Sequence, residues 1–579
     1  MTPSVQDMTK LDFGPHLYDA KLHIDALFSI DVTKPVVIDI ETDEKDNFVG
    51  MAWTQDGIDV YYSTEILHGL PHFKFVGQNL KGDLKWLINW GAKIKSSQLL
   101  YDTCLASYVQ NTTKESHSLK DIAKEYLGMS WPTYKEMVGS GRAKTTLDKQ
   151  DVDRVARYCG MDCLATFRLW QYFQKTLSPQ QKKYLESIEL PTARALMDME
   201  LLGAKVDVNY LEKLDKEFVI QLEGLTKAIG NFWGGKGELN VNSNRQIAEL
   251  LQSHGATLPT TAKGNLKVDK ATLEQWKHLP VVPLLLEYSK IEKLKSTYTT
   301  ALLEKQKDGR IYCSFNQLTR DAKGKSVGIS TSRLSSSNPN LQNIPTRTKE
   351  GELIRKAFIA DEGKVLIDAD YSQIEPRLVA HITKDRTFID AYLNDRDIYS
   401  ELVAGTGRDR QDGKTFMLAL LYGAQPQKLA SVFKCSEEEA EEIVYGIMKK
   451  LPGVTSWINR TKWEARQKGG VYTLFKRFIP IPKINDGNKY DRMHWERVAV
   501  NAVIQGSAAE IMKLGIIKLH EYGYEAELVV HDESLIQVEE STARNQAQAI
   551  KRIMENVVKL DVPLVVDVGI GKSWSEAKL

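Results

Sequence analysis

What this chain has little of narrows it first. Net charge is nearly absent: 77 Lys and Arg stand against 76 Asp and Glu, leaving +1 over 579 residues. No global field draws it to an anionic partner, so such a partner must be held by local basic patches. Cysteines number five, Cys104, Cys159, Cys163, Cys313 and Cys435, an odd count at scattered spacing. That suits a reduced compartment and excludes a disulfide scaffold. Cys159 and Cys163 lie one helical turn apart, but no second pair completes a zinc site. No apolar run reaches the roughly 18–20 residues that span a bilayer, and the opening MTPSVQDMTK lacks the regions of a signal peptide. The expectation is a cytoplasmic chain without membrane contact. Gly571-Lys572-Ser573 and Gly324-Lys325-Ser326 resemble the end of a phosphate loop, but Val566 and Thr319 stand where its first glycine belongs. Repeats and low-complexity segments are missing too. What remains is ordinary globular composition, 42% hydrophobic and 26% charged, long enough for several domains.

Against that background the carboxylates stand out. PVVIDIETD reads as a strand with Asp39 and Glu41 two apart, on one face. In VGQNLKGDLKWL, Asn79 and Asp83 are four apart, on one helix face. In RYCGMDCLAT, Tyr158 and Asp162 repeat that spacing. Singly, each reads as a surface turn or a solvated helix face. Together they are four acids and a tyrosine that could converge from three segments. Clustered carboxylates suit divalent metals with oxygen ligands, and two such ions would activate a water and stabilise the leaving oxygen of a phosphodiester. The order strand Asp-x-Glu, Asn-x3-Asp, Tyr-x3-Asp resembles the DEDDy 3′→5′ exonucleases. The resemblance implies that Asp39, Glu41, Asp83 and Asp162 hold metal and that Tyr158 orients the water.

A second set lies downstream. KVLIDADYSQIEPR has a buried strand delivering Asp368 and Asp370 to one face, with Glu375 and Arg377 at a helix start. VVHDESLIQV puts Asp532 and Glu533 between apolar runs, where a carboxylate needs a partner; a hairpin with an acidic turn is the plain alternative. Adjacent strand residues face opposite ways, so the two acids cannot act alike unless the chain twists between them. In RQDGKTFMLALLYG, Arg410, Lys414, Leu418 and Tyr422 recur every four residues along one helix face, from two cations to an aromatic. That face reads either as a basic-ended amphipathic helix or as a platform for a nucleoside triphosphate. LEYSKIEKLKSTY carries Lys290, Lys293 and Lys295, a solvated face or a track for phosphates. TSRLSSSNPNLQNIP is too rich in Ser, Asn and Pro for a regular element.

In order, TSRLSSSNPNLQNIP, DYSQIE, R-x3-K-x7-YG, ERVAVNAVIQGSAAEIM, VHDE and PLVVDVGIGKSW closely resemble the motifs of family A DNA polymerases, from about residue 35 onward. The layout is similar to the large fragment of a bacterial polymerase I, or to a compact phage polymerase, without the 5′-nuclease domain. The resemblance implies an α/β exonuclease domain, RNase H-like with a mixed sheet, over 1–180. A right-hand polymerase domain follows over 181–579: a helical thumb at about 190–310, an α+β palm with an antiparallel sheet at about 311–385 and 486–579, and helical fingers at about 386–485. It implies template-directed addition of dNTPs to a primer 3′-OH, with proofreading. The cofactor implied is Mg2+, two ions per active site, with Mn2+ a substitute. The partners implied are primer-template DNA and dNTPs, a monomer, and replisome proteins such as a helicase or single-strand-binding protein.

Residue by residue, the resemblance makes Asp370, the Tyr371 carbonyl and Asp532 the palm metal ligands, with Glu533 near the primer end. Arg410 and Lys414 meet the triphosphate, and Lys414 protonates the leaving pyrophosphate. Gln373, Glu375, Tyr399, Leu418 and Tyr422 line the nucleotide site, where Glu375 fills the room of a 2′-OH. Arg333, Asn343, Arg497, Asn501, Gln505 and His531 hold DNA, with Arg333 and Gln505 on the minor-groove side. Departures from the pattern are Leu418 for an aromatic, Tyr399 for His, Ser332 for Gly, and Pro376 for Leu with one N–H fewer. The stretch LTRDAKGKSVGISTS before Arg333 is an insertion, read as an exposed loop. A single-subunit RNA polymerase is opposed by Glu375 and by the complete exonuclease set. A degenerate DNA-binding protein would be expected to lack Asp370, Asp532 or Lys414, and all three are present.

Overall fold

The computed structural model describes residues 20–25, 31–66, 73–141, 144–235, 237–261, 263–318, 331–345, 348–422, 429–430, 433 and 435–578. Most of the insertion before Arg333 therefore lies outside the described residues, as do the side chains of Leu418 and Tyr422.

Six strands open the chain: β1 (Lys21–Ile24), β2 (Val36–Thr42), β3 (Phe48–Thr54), β4 (Asp59–Ser63), β5 (Phe75–Gly77) and β6 (Leu99–Asp102). They form one mixed sheet in the order β1-β4-β3-β2-β5-β6, with β2 antiparallel to β3 and parallel to β5. Val36, Val37 and Ile38 are buried before β2 reaches Asp39 and Glu41. Helix Val152–Thr176 packs across the sheet and buries Tyr158, Cys159 and Asp162 against it. One core, from Val36 to Met197, holds this unit together.

The rest is built on a four-stranded antiparallel sheet, Glu525–Val530, Glu533–Glu539, Lys364–Tyr371 and Val566–Gly571 in that spatial order. Helices Ile374–Thr383 and Lys489–Glu521 pack together beside it. Helices between Arg386 and Lys468 lie where the resemblance puts the fingers, and Val208–Gly230 with Val281–Leu294 where it puts the thumb, whose outer end has its own small core. TSRLSSSNPNLQNIP is not wholly irregular: Ser335–Ser337 pairs with Ser314–Asn316 as a short antiparallel ribbon. Of the lysines on the thumb helix, Lys290 pairs with Glu350 and Lys295 with Asp215, so two of the three are tied within the protein.

Two polar junctions lock the first unit onto the second. On helix Leu80–Asn89, Lys81 and Lys85 both pair with Glu200, which also accepts from the Phe315 backbone N–H at 2.6 Å. Deeper in, Lys513 and Glu189, both with fully buried side chains, pair at 2.7 Å. Gln317 and Tyr184 also donate to Glu189. Burial works to raise Glu189, but the Lys513 ammonium and these donors hold it below the usual carboxylate range. Lys513 donates to the Ser332 hydroxyl at 2.6 Å as well. Ser332 has φ +63°, a conformation that favours glycine, so the departure from the family's Gly at this place pairs backbone strain with a buried hydrogen bond.

Lys513→Met would leave Glu189 buried among neutral partners and should destabilise the fold by about 3–5 kcal/mol. Glu189→Leu with Lys513→Met should recover most of that loss. Denaturant midpoints of the two variants decide it: a single variant as mild as the double would show that the pair is not what the junction depends on.

Candidate active sites

The first site forms where β2 meets two helices. The Asp102 carboxylate accepts from the backbone of Asn79, Leu80 and Cys104 at 2.8–3.1 Å, so it caps helix Leu80–Asn89 and helix Thr103–Gln110 together. That fixes Asp83, one turn in, against β2. Burial pushes Asp39, Glu41 and Asp83 well above the usual carboxylate range, and their charges on one another and from Asp162 push the same way. Asp162 is raised by burial too, against the pull of Lys120. The four acids and Tyr158 are thus brought together as the spacing predicts. Two partners were not legible in the sequence: the Lys120 ammonium bonds Asp162 and lies over the rings of Trp131 and Tyr158 at 4.1 and 4.3 Å, and the Trp131 indole donates to Asp162 at 2.5 Å. Cys159 sits 3.4 Å from the Asp39 carboxylate. Burial and the surrounding acids push its thiol well up, so it remains protonated and the donor set is one of hard oxygens, which fits a divalent cation such as magnesium.

The second site lies at the hairpin that closes the palm sheet. Val530 pairs with Glu533, so His531 and Asp532 are the two turn residues, and His531 has φ +57°. Asp532 therefore stands in a turn rather than on a strand, and the expectation that strand alternation separates it from Glu533 is corrected: the tight turn does so. Its carbonyl accepts from Tyr371 N–H at 3.1 Å, which ties the turn to the end of the Asp370 strand. Burial raises Asp532, against the pull of Arg333 and His531. Asp370 is cross-strand neighbour of Glu533, and burial raises it as well. Glu533 is 4% exposed and fully engaged: Trp574 Nε1 donates to one oxygen and Lys578 Nζ to the other, both at 2.5 Å. Lys578 also reaches Asp370 at 3.2 Å and Asp368 at 3.4 Å. Asp370 and Asp532 are thus the acids on the open side, a hard-oxygen pair that again fits a divalent ion.

Of the remaining candidates, Arg333 and Glu375 lie within electrostatic reach of Asp532. Arg333 pairs with Glu375 at 2.5 Å. Gln373, with φ +53°, accepts from Tyr392 at 2.9 Å, and the Arg377 guanidinium lies 4.5 Å from the Tyr392 ring. Pro376 falls in the first turn of its helix, where N–H groups have no intrahelical partner, so its missing donor leaves the helix intact. Arg410 lies 5.2 Å from the Tyr399 ring and 3.1 Å from Asp397. Between Arg410 and Lys414, Gly413 is pressed so close to the Tyr399 carbonyl that a Cβ there would stand 1.9 Å from its oxygen. Leu418 and Tyr422 continue the same helix. On helix Lys489–Glu521, Arg497 is half-buried, Gln505 is buried, and the buried Asn501 Oδ1 has no hydrogen-bond partner. His531 and Asn343 are exposed, and the Asn343 carbonyl accepts from Tyr298 at 2.5 Å.

These raised carboxyls carry a pH signature. An acid whose folded-state pKa is raised lends stability that is present below its unfolded value, near 4, and is lost as pH rises through the folded value. Asp368, driven up to about 8 by burial and by Glu533, sets the upper edge of the palm's share. In chelator the melting temperature should fall between about pH 5 and pH 8, and magnesium should raise it more at the higher pH. Asp39→Asn with Asp83→Asn should flatten both trends. Equal magnesium increments at both pH values would show that the carboxylates do not carry the effect.

Comparison with known proteins agrees with the geometry. The profile of DNA polymerase family A matches residues 208–576, and that of the 3′-5′ exonuclease matches residues 33–178. DNA polymerase I of Pseudomonas aeruginosa is 35% identical over 527 residues, 87% of this chain and 56% of that protein. The thermostable DNA polymerase I of Thermus thermophilus is 35% identical over 441 residues, 72% and 52% respectively. The chain thus spans about half the length of such relatives. Among solved structures, the POL domain of Pol1 from M. smegmatis, in complex with DNA primer-template and dNTP, superposes with a TM-score of 0.80 at 28% identity, covering 94% of this chain and 96% of that one. Polymerases and exonucleases of these kinds depend on divalent metal ions, and no described helix is long and apolar enough to cross a membrane. With its two carboxylate sites on two sheets, the chain belongs to DNA polymerase family A and carries a 3′-5′ exonuclease domain.

Proposed function

We propose that this chain extends a primer 3′ end with dNTPs on a DNA template and removes mismatched 3′ ends at its second site. The observation that carries this reading is the pair of separate carboxylate clusters, Asp39, Glu41, Asp83 and Asp162 in one and Asp368, Asp370, Asp532 and Glu533 in the other. Bound divalent ions, two at each site, would supply Lewis acidity toward the attacking and leaving oxygens. Asp370, Asp532 and the Tyr371 carbonyl would hold them in the palm, and Asp39, Glu41, Asp83 and Asp162 in the exonuclease.

The chain's own groups do the rest. Arg410, held by Asp397 and Tyr399, and Lys414 neutralise the triphosphate, and Lys414 gives its proton to the pyrophosphate oxygen as it leaves. Tyr399, buried beside Arg410, offers its hydroxyl where the family has His. Gln373 joins palm to fingers through Tyr392. Leu418 and Tyr422 stand by the incoming sugar and the templating base. Glu375 occupies the space of a 2′-OH and, through its pair with Arg333, places that guanidinium toward the minor groove. Gln505 and Asn501 offer polar atoms to the same groove, and Arg497, His531 and Asn343 hold the strands. In the exonuclease, Tyr158 orients the attacking water and Lys120 fixes the Tyr158 ring and Asp162. Replisome proteins and a monomeric state complete the reading.

Asp532→Asn should abolish primer extension and leave removal of a mismatched 3′ end, while Asp39→Ala with Glu41→Ala should do the reverse. Loss of both activities from either folded variant would sink the two-site reading.

Glu375→Ala should raise the ratio of rNTP to dNTP kcat/KM by roughly tenfold or more, about 1.4 kcal/mol in differential transition-state binding, with some loss of dNTP activity because Arg333 loses its partner. An unchanged ratio would remove Glu375 from sugar selection.

A further inference from the structure

Three acids of the palm, Asp368, Asp370 and Glu533, converge on one point, and the chain places a lysine there. Lys578 Nζ lies 2.5 Å from Glu533 Oε2, 3.2 Å from Asp370 Oδ2 and 3.4 Å from Asp368 Oδ2. The anchor behind it is rigid. Trp574 is fully buried, packs edge-on against Phe358 at 5.6 Å, and donates its backbone N–H to the Phe358 carbonyl at 2.9 Å. Asp368 is 3% exposed, and its Oδ1 is buried without a hydrogen-bond partner among the described residues. Three carboxylates around one ammonium form a cation position of the kind that divalent ions fill.

We propose that Lys578 is a positioning residue of the palm site, a resident counter-ion that fills this third cation position. This rests on the polymerase reading above. Its ammonium engages Oδ2 of Asp370 and leaves Oδ1 outside the pair. It also takes the one Glu533 oxygen that Trp574 does not, so both oxygens of the acid beside Asp532 are already engaged within the protein. The two neighbouring acids of the hairpin are thereby given different tasks, Asp532 toward metal and Glu533 toward the lysine. Without the ammonium, the three acids would repel one another, draw a divalent ion into the wrong place, and release Asp370 from its orientation.

The test counts ions as well as turnover. In an Asp39→Ala, Glu41→Ala background, which removes the exonuclease ligands, Mn2+ bound per chain is measured by electron paramagnetic resonance without DNA. Lys578→Gln should bind one more ion than its parent. Its melting temperature should be lower in chelator and rise further with Mn2+. Lys578→Arg should keep the parent's ion count. Primer extension by Lys578→Gln should lose roughly tenfold or more in kcat, the usual effect of removing a group that orients a ligand, with KM for dNTP within about twofold. An unchanged ion count together with an unchanged metal increment in melting temperature would overturn the proposal. If Lys578→Gln does not fold, adding Asp368→Asn removes one of the three charges and should restore folding; a double variant that still fails to fold would also overturn it. A parent chain that bound metal but never extended a primer would sink the polymerase reading and leave Lys578 to be judged by the ion count.

Discussion

The physical constraint behind this molecule is the concentration of negative charge out of water. Asp39, Glu41, Asp83 and Asp162 are desolvated in one place, and Asp368, Asp370, Asp532 and Glu533 in another. A buried carboxylate must be paired, ligated or protonated. Each site meets that demand in part with a lysine of the chain itself, Lys120 on Asp162 and Lys578 on Glu533. Neither lysine neutralises its cluster alone: one ammonium faces three or four acids. The residual charge is what makes each site receptive to divalent ions.

Such clusters repel themselves apart unless the scaffold is stiff. In each site one acid follows directly on the buried run of a strand, Asp39 after Val36 to Ile38 and Asp368 after Leu366 and Ile367, while Asp83 and Asp162 are held on packed helices and Asp532 in a two-residue turn. Repulsion is thereby opposed by packing rather than by flexible loops. The junction between the units follows the same logic in reverse. Glu189 is buried beside Lys513 with further donors around it, so its charge is satisfied internally and it has no use for a metal. Lys513 extends that network to Ser332, next to Arg333. Arg333 therefore stands next to the contact between the exonuclease unit and the palm.

Most of the fold and both acid sets could be read from the sequence because their signals are local. Asp-x-Glu after an apolar run, Asn-x3-Asp, and Arg and Lys four apart are short-range patterns, and regular backbone converts them directly into shared faces. What was hidden is what the fold brings from afar. Lys120 is 42 residues from Asp162, Asp102 is 23 from Asn79, and Lys578 is 208 from Asp370. No spacing rule connects such pairs, and a lysine on an amphipathic helix looks solvated until the fold turns it inward. The thumb helix shows the converse: Lys290 and Lys295 read as a phosphate track or a solvated face, yet each pairs with an acid of the protein.

The two adjacent acids of VVHDESLIQV show where local and distant information meet. Sequence alone says that two carboxylates between apolar runs need cations, and that neighbours on a strand should point apart. The structure separates them differently. His531 adopts a left-handed backbone and makes a two-residue turn, which leaves Asp532 at the tip and starts the next strand at Glu533. Both oxygens of Glu533 are then taken by Trp574 and Lys578, which arrive from the last strand's far end. A turn of two residues decides which acid faces outward, and a tryptophan and a lysine some 40 residues on hold both oxygens of the other. Distinct chemistry for two identical functional groups thus needs no difference in the groups, only a difference in what is already bound to them.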